Sequence, residues 1–335
     1  MTAARLEEIL GRASSKRIVV IGDLMLDEFV WGKVGRISPE APVPVVEVTG
    51  ESFYPGGAAN VARNLREFID RPAVIGLVGT DRGGQHLRQL LADCEIDTSS
   101  VVEDGGFPTI VKTRIIARQQ QVVRVDREQI RTPGANHIAQ VIERFRALLP
   151  EIDAVVFEDY GKGFLSHELV NELTEMASAA GKIVTVDPNP RHPIAWKHAT
   201  AVKPNRSEAF HAAGVPWSDP VDPASEDRVL RHVGQSLLEK WDTKFLLITL
   251  GEQGMMLFEG DEAWHIPTKA QQVFDVSGAG DTAIALFTLA LCGSATAREA
   301  ADIANHASAV VVGKLGTATV TRQELVASFD DDFVA

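Results

Sequence analysis

The residues best suited to chemistry lie late in the chain, in the stretch Asp275-Val-Ser-Gly-Ala-Gly-Asp-Thr282. Gly278, Ala279 and Gly280 carry almost no side chain, and the apolar run that follows them predicts a helix. A bare loop that opens a helix presents free N–H groups and the positive end of the helix dipole, which together hold an anion such as phosphate. A carboxylate in such a site opposes phosphate unless it accepts a proton, so Asp281 is predicted to be a general base.

The elements that must position this loop follow an alternating pattern. Buried-strand segments lie at 17–22, 73–78, 154–157, 182–186, 201–203 and 245–249, with helical patterns between them. This alternation predicts βαβ units and an α/β fold, with a doubly wound, mostly parallel sheet that has helices on both faces. A proline-rich segment at 31–56 and paired strands at 108–126 predict a small β flap, or lid, outside that sheet.

Polar residues follow these predicted strands. Asp23 and Asp27 come after the first strand, in what the sequence predicts is one loop, where they either cap turns or bind a ligand. Further polar residues follow later strands: Asp81, Lys162, Asp187, Asn205, Glu208 and Thr249. The carboxyl ends of parallel strands meet at one rim of the sheet, where folds of this kind bind ligands.

Asn205 and Glu208 begin a predicted helix one turn apart, and their spacing leaves two interpretations open. They orient waters around Mg²⁺, or they form only an N-cap and a capping box. Gly56, Gly57 and Asn60 are similarly open: the glycines allow a ligand to approach the backbone and Asn60 binds a hydroxyl, or the segment is a simple turn.

A group of cations lies on the predicted lid strands of this acidic protein. Alternation puts Lys112 and Arg114 on one face of their strand, and Arg118 and Arg124 lie in the same region. These residues either meet an anionic group of a ligand or form a solvated strand face.

Composition and charge exclude several classes of protein. The 335 residues include 33 Lys and Arg against 46 Asp and Glu, and the net charge of −13 disfavours nucleic acid as a partner. Cys94 and Cys292 form no CxxC pair, which favours the reducing cytoplasm over a disulfide or zinc framework. No apolar run has the length of a membrane span, and the polar N-terminus lacks the pattern of a signal peptide.

Sequence motifs for nucleotide and metal binding narrow the set of possible reactions. There is no GxxxxGK[ST] P-loop, and the histidines form no HExxH motif. Gly278-x-Gly280-x-x-Ala283 matches the dinucleotide fingerprint of dehydrogenases only weakly, because an acid occupies its fourth position. Phosphoryl transfer fits best, since it needs an anion cradle, Mg²⁺ and a base rather than a protein nucleophile.

These residues resemble the ribokinase (PfkB) family of carbohydrate kinases, from about Arg17 to Leu325. The two signature regions of that family match Gly56-Gly-Ala-Ala-Asn60 and the stretch that ends at Thr282, and its N-x-x-E magnesium motif matches Asn205-Arg-Ser-Glu208. The resemblance implies a ribokinase-like fold, ATP as phosphoryl donor, and Mg²⁺.

The resemblance also implies a role for each matching residue. Asp281 would be the base, with the amides of Gly278, Ala279 and Gly280 as the anion hole. The sugar would contact Asp27, Gly56, Gly57 and Asn60. The nucleotide would contact Asn205, Thr249, Gly251, Gly254 and Asn305. Asn205 and Glu208 would hold Mg²⁺ through water, and a monovalent cation, with K⁺ expected, would lie near Asp275 and Ser277.

Within the family, the segments Arg36–Val46, Arg118–Asp126 and Asp159–Gly163 resemble kinases of D-glycero-D-manno-heptose 7-phosphate. This narrower resemblance implies phosphorylation of the anomeric hydroxyl to the 1,7-bisphosphate, which supplies nucleotide-activated heptose for bacterial surface glycans such as the lipopolysaccharide core. The substrate phosphate would then meet the basic residues of the lid and rim, Lys112, Arg114, Arg118, Arg124 and Lys162.

Two departures leave the substrate open: Glu158 replaces a small residue, and Asn189 stands where the resembling enzymes often have lysine. The alternatives are a kinase for ribose, fructose or fructose 6-phosphate, and a catalytically silent sugar or nucleotide sensor on the same fold. We expect one kinase domain over residues 1–335, no nucleotidyltransferase domain, and a homodimer formed through the lid.

Overall fold

The computed structural model describes residues 1–118, 120–270, 272–314 and 316–330. Its helices are α1 Ala3–Ala13, α2 Ala58–Arg66, α3 Arg82–Asp93, α4 Ala135–Leu148, α5 His167–Ala179, α6 Arg206–Ala213, α7 Arg228–Trp241, α8 Ala279–Cys292, α9 Ala297–Val312 and α10 Arg322–Ala327. No helix among the residues described is long and apolar enough to cross a membrane.

The strands form three sheets. They are β1 Ile18–Gly22, β2 Leu24–Ile37, β3 Pro44–Gly57, β4 Ala73–Ile75, β5 Leu77–Gly79, β6 Val102–Asp104, β7 Ile110–Ala117, β8 Gln120–Arg127, β9 Ala154–Glu158, β10 Ile183–Asp187, β11 Ala201–Val202, β12 Phe245–Thr249, β13 Met255–Glu259 and β14 Glu262–Ile266. The main sheet has eight strands in the order β14-β13-β12-β11-β10-β9-β1-β4. Its strands are parallel except β13 and β14, which add antiparallel strands at one edge.

Both faces of the main sheet are buried, as the predicted doubly wound fold requires. In β1, Ile18 and Val20 join a core with α1, α2, α8 and α9, whereas Val19 and Ile21 join a second core with α4 to α7. Successive side chains of a strand point to opposite faces, so continuous apolar strands of this kind separate two layers of helices. The predicted α/β fold with helices on both faces of the sheet is therefore confirmed.

The lid is a separate four-stranded sheet with the order β3-β2-β7-β8. Only Asp23 separates β1 of the main sheet from β2 of the lid, so the lid begins at Leu24, earlier than the predicted residue 31. The lid strand β3 returns at Gly57, and the N–H of Ala58 donates to the carbonyl oxygen of Asp23 at 3.1 Å. Both attachments of this hairpin to the main body therefore lie side by side.

Candidate active site

Strand register brings acidic residues together at the rim of the main sheet. Glu158 ends β9 and is the direct neighbour of Gly22 in β1 and of Asp187 in β10. Lys203 directly follows β11, and its Nζ lies 2.8 Å from Oδ2 of Asp187. The rim that the sequence predicts from strand ends is therefore present, and its centre is strongly charged although it is buried.

Asp281 lies in the first turn of α8, above this rim. Gly278 precedes the helix with φ of 79°, a backbone conformation that side chains other than glycine's disfavour. Asp281 itself is buried, with 6% of its surface exposed, because the helix around it is apolar and packs against the core on every side. The predicted base thus sits at the N-terminus of α8, where the N–H of Ala279 donates to the carbonyl oxygen of Val276 at 3.3 Å.

Two donors hold the Asp281 carboxylate. Nδ2 of Asn60 donates to Oδ2 at 2.7 Å, and the hydroxyl of Tyr160 donates to Oδ1 at 2.9 Å. Burial raises the pKa of Asp281 to about 6, against the lowering effect of these hydrogen bonds. A carboxylate with a pKa near the working pH suits a general base.

The surroundings of Asp281 include two further carboxylates. Glu158, Asp187 and Asp281 each present one oxygen within 4.8 Å of the others. Burial, reinforced by the neighbouring carboxylates, raises the pKa of Glu158 well above its usual range. We call these three residues the acid triad.

Asp27 lies on the lid rather than in the predicted loop. The apolar run from Leu24 extends directly into β2, so Asp27 is a strand residue, paired with Tyr54 of β3 and Lys112 of β7. Oδ1 of Asp27 accepts from Nη1 of Arg114 at 2.5 Å. A Cβ at Gly56 would lie 2.3 Å from Oδ2 of Asp27, so glycine is required there to make room for the carboxylate.

Asn60 lies on α2, and we call the region between Asn60 and Asp27 of the lid the cleft. Its Oδ1 is buried and has no hydrogen-bond partner within the described part of the chain, whereas its Nδ2 holds Asp281. An unpaired buried acceptor is costly unless a ligand donates to it. Gly57, which precedes α2 with φ of 59°, turns the chain so that Asn60 reaches the cleft.

The predicted basic residues divide into two groups. Lys112 and Lys162 approach Glu128 at 3.3 and 2.8 Å, and Arg114 pairs with Asp27, so these three converge near the cleft. Arg124 is half-exposed and pairs with Asp126 of its own strand. Arg118 lies at the far end of the lid, where its N–H donates to Gly32.

A cavity opens beside the start of α8. This cavity of about 270 Å³ is lined by residues that include Thr249, Gly251, Gly254, Asn305, Ala279 and Gly280. Four of the five residues predicted to bind ATP therefore share one cavity with two residues of the predicted anion hole. Asn205 does not line it, but it forms a β-bridge with Thr249.

Asn205 and Glu208 form the capping box that the sequence left as one of two interpretations. Oδ1 of Asn205 accepts from the Glu208 N–H at 2.9 Å, and Oε2 of Glu208 accepts from the Asn205 N–H at 2.8 Å. Asp275 holds its own loop in a similar way, because its carboxylate accepts from the N–H groups of Ser277 and Gly316. Both sets have structural contacts, and their predicted cation binding stays a prediction.

A family model described as "pfkB family carbohydrate kinase" matches residues 15–324. The chain belongs to the pfkB family. Among curated relatives, a bifunctional protein HldE of Desulfatibacillum aliphaticivorans is 40% identical over 323 residues, which is 96% of this chain and 65% of that protein. A second, from Magnetococcus marinus, is 43% identical and covers 92% of this chain and 63% of its own length. The chain thus spans slightly less than two thirds of these relatives.

Solved structures of the pfkB fold are similar at lower identity. Phosphofructokinase-2 from Escherichia coli, in complex with potassium, matches with a TM-score of 0.76 and 20% identity, over 94% of this chain and 98% of that one. Arabidopsis thaliana ribokinase, complexed with ribose and ATP, matches with a TM-score of 0.71 and 18% identity, over 96% of this chain and all of that one. These similarities establish the fold.

Tyr160 and Lys203 of this pfkB protein have site contacts that the sequence did not predict, whereas Asp23 caps a turn, which was one of its two predicted interpretations. Tyr160 donates to the base, and Lys203 pairs with Asp187 beside the Gly280 backbone. Asp23 accepts from the N–H groups of Tyr160, Lys162 and Phe164, so it anchors the loop after β9. The sequence signal for these positions was that Asp23 and Lys203 directly follow strands and that Tyr160 follows β9 by two residues.

Proposed function

We propose that the protein transfers the γ-phosphoryl group of ATP to the anomeric hydroxyl of D-glycero-D-manno-heptose 7-phosphate. The observation that carries this proposal is the position of Asp281, whose carboxylate is bonded to Asn60 and which directly follows Gly280, a residue that lines the cavity predicted to bind ATP. A carboxylate placed beside a polar side chain at an anion-binding helix N-terminus suits a base that activates an alcohol for attack on phosphate.

In the proposed reaction, Asp281 accepts the proton of the anomeric hydroxyl. The hydroxyl oxygen forms a bond to the γ-phosphorus, and the bond between that phosphorus and the β–γ bridging oxygen breaks to release ADP. The N–H groups of Gly278, Ala279 and Gly280 stabilise the charge on the transferred group. Oδ1 of Asn60, which has no donor among the residues described, accepts from a sugar hydroxyl, and the lid limits access of water.

The residues present fit the divalent cation that the family implies. Glu208 and Asn205 offer oxygen atoms at the start of α6, and Asp187 lies near enough to raise the pKa of Glu208 further after burial. Oxygen ligands reached partly through water are those that Mg²⁺ takes, and Mg²⁺ neutralises charge on the nucleotide phosphates when it is bound. By the same donor chemistry, K⁺ would be held near Asp275 and Ser277.

The choice of a phosphorylated heptose rests on the sequence segments that resemble heptose 7-phosphate kinases and on the basic residues near the cleft. Lys112 and Lys162 have side chains that are 13% and 16% exposed, and both face Glu128 rather than open solvent. A phosphate group of the substrate would meet these ammonium groups and Arg114. The relatives named HldE are longer than this chain, so we propose only the kinase activity for it.

An acceptor panel tests this proposal. ADP release with Mg²⁺ and ATP would be measured on heptose 7-phosphate, the unphosphorylated heptose, fructose 6-phosphate and ribose. We expect the highest kcat/KM on heptose 7-phosphate, with a loss on the unphosphorylated heptose that appears mainly in KM. Equal turnover of ribose and heptose 7-phosphate would contradict the proposed substrate, and absence of turnover on every acceptor would favour a sensor.

Asp281→Asn tests the proposed base separately. The variant keeps the size and most hydrogen bonds of the side chain, and it also removes a buried charge, so we expect it to fold and to bind ATP. We expect kcat to fall by about 10³-fold, within the range that general-base catalysis contributes. Turnover within a few-fold of the wild type would show that Asp281 is not the base.

We also propose that two copies of the chain associate through their lids. The strand β8 lies at an edge of the lid sheet, and Val122, Val123 and Val125 in it are 37–45% exposed. An open edge strand with exposed apolar side chains is a surface that proteins usually cover.

A further inference from the structure

The acid triad holds more negative charge than its surroundings compensate. Glu158, Asp187 and Asp281 are three carboxylates within 4.8 Å of one another, and Lys203 is bound to one of them at 2.8 Å. Three carboxylates and one ammonium group carry a net charge of −2 when all are ionised. Charges of this size are not stable in a buried site unless a counter-ion or protons compensate them.

Hydrogen bonds and an ion pair hold the carboxylates of Asp281 and Asp187 in the triad. Asp281 accepts from Asn60 and Tyr160, and Asp187 is bound by Lys203. Oε2 of Glu158 is buried and has no hydrogen-bond partner in the described part of the chain, although Glu158 is only 2% exposed. A buried carboxylate oxygen without a donor, in a residue that belongs to a cluster of three carboxylates, is the arrangement expected of a cation ligand.

Strand pairing places Glu158 in the acid triad. Its place at the end of β9, paired in register with Asp187, makes the two carboxylates neighbours through the backbone alone. The pair is therefore preorganised before any ligand arrives.

We propose that the acid triad binds a divalent cation directly, through oxygens of Glu158, Asp187 and Asp281, in the absence of nucleotide and sugar. Mg²⁺ and Mn²⁺ are the class of ion that prefers carboxylate oxygens, and one such ion compensates the net charge of −2. These ligands are different from Asn205 and Glu208, whose oxygens are committed in part to the capping box. The inference does not depend on which sugar is phosphorylated.

The position of the site suggests what the ion does there. A Cβ at Gly280 would lie 3.8 Å from Oδ2 of Asp187 and 3.5 Å from Nζ of Lys203, so the triad borders the backbone of the anion hole. An ion held by the triad therefore lies beside the place where phosphate oxygens bind. The ion reduces the repulsion among the three carboxylates in the empty enzyme. Its remaining coordination positions are available to phosphate oxygens.

Binding of Mn²⁺ to the full chain without nucleotide tests the proposal. Free Mn²⁺ would be followed by electron paramagnetic resonance during titration of the wild type, Glu158→Gln, Glu208→Gln and Glu252→Gln. Glu252 is an exposed carboxylate at the rim of the nucleotide cavity and serves as a control for nonspecific binding. We expect one ion per chain in the wild type, in Glu252→Gln and in Glu208→Gln. Glu158→Gln should lose about tenfold or more in affinity for Mn²⁺.

Lys203→Met provides a second variant with the opposite prediction. Removal of the ammonium group leaves the triad with a net charge of −3, so we expect Mn²⁺ to bind about tenfold more tightly. The wild type should also melt at a higher temperature with Mn²⁺, by mass action, and Glu158→Gln should lose that increase. These readouts do not use turnover, so their failure would leave the proposed kinase activity untouched.

Three results would overturn the proposal. They are a wild type that binds no Mn²⁺ without nucleotide, binding that Glu158→Gln leaves intact, and binding that Glu208→Gln abolishes while Glu158→Gln does not. The last result would assign the ion to the capping-box pair. If Glu158→Gln does not fold, unchanged Mn²⁺ affinity in Lys203→Met would be sufficient to reject the site.

Discussion

At the scale of single residues, Asp281 combines two properties that usually conflict. A carboxylate in an anion hole repels phosphate, and a buried carboxylate resists ionisation. Donors from Asn60 and Tyr160 counter the second effect, so the pKa is raised only to about 6 and the group is ionised at neutral pH. The two donors come from separate parts of the chain, one on α2 and the other on the loop after β9.

Removal of one donor should therefore impair the reaction more than binding. We predict that Tyr160→Phe lowers kcat by about tenfold, because a hydrogen bond to a charged group contributes roughly 1.5–3 kcal/mol and fixes the orientation of the base. KM for ATP should stay unchanged, since the lining of the nucleotide cavity does not include Tyr160. Steady-state kinetics at neutral pH would check this, and an unchanged kcat would show that Asn60 alone orients Asp281.

At the scale of elements, the carboxylate of Asp23 accepts three backbone hydrogen bonds from the loop after β9, and Asp159 accepts one more from Gly161. Asp23 accepts hydrogen bonds of 3.0, 3.1 and 3.4 Å from the N–H groups of Tyr160, Lys162 and Phe164. Asparagine has one acceptor oxygen where aspartate has two, so it cannot satisfy all three donors. Asp23→Asn should therefore loosen the loop that carries Tyr160.

The pH dependence of the free energy of unfolding should reveal the raised pKa of Asp23. Burial raises the pKa of Asp23 to about 6 in the folded state, from 3.8 when it is exposed, so the folded state binds the proton more tightly. The contribution of this group to stability is then present at acidic pH and is lost as the pH rises through 6. We predict that the free energy of unfolding of the wild type, relative to Asp23→Asn, falls by about 1 kcal/mol between pH 5 and pH 8.

Urea unfolding of both proteins at the two pH values would measure this difference. The difference between the wild type and Asp23→Asn cancels the contributions of the other titrating groups, since both proteins share them. Parallel pH dependence in the two proteins would mean that the folded-state pKa of Asp23 is close to its ordinary value.

At the scale of the whole molecule, the lid presents two different faces. Register places Arg124 opposite Arg114 and Asp126 opposite Lys112, on the face of Asp27. Val123 and Val125 lie on the other face, opposite Ile115 and Thr113. The polar face therefore belongs to the cleft, and the apolar face is the one available to a second copy.

A charge on the apolar face should separate the copies. We predict that the wild type is a dimer at micromolar concentration and that Val123→Glu shifts it to a monomer, because burying an unpaired carboxylate in the interface is unfavourable. Val229→Glu, at an exposed valine of α7, is the matched control and should leave the mass unchanged. Sedimentation or light scattering would decide, and a monomeric wild type would contradict lid-mediated association.

The sequence predicted those parts of the site that depend on local chain geometry. The residues of the proposed base and anion hole follow from neighbouring positions in the sequence, and Glu158, Asp187 and Asp281 meet at one rim, whereas Asp27 lies on the lid. Contacts set by distant segments were not predictable in this way. The pairing of Glu158 with Asp187 depends on strand order, and the pairing of Lys112 and Lys162 with Glu128 depends on how the lid meets the rim.

The direct passage from β1 into the lid has a mechanical consequence. Asp23 is the one residue between the two sheets, it joins Ala58 at the return of the lid hairpin, and it holds the loop that carries Tyr160. If the lid closes by a rotation about Asp23, we expect the movement to reach the hydrogen bond between Tyr160 and Asp281 through this loop. Lid closure and the orientation of the proposed base would then be mechanically coupled.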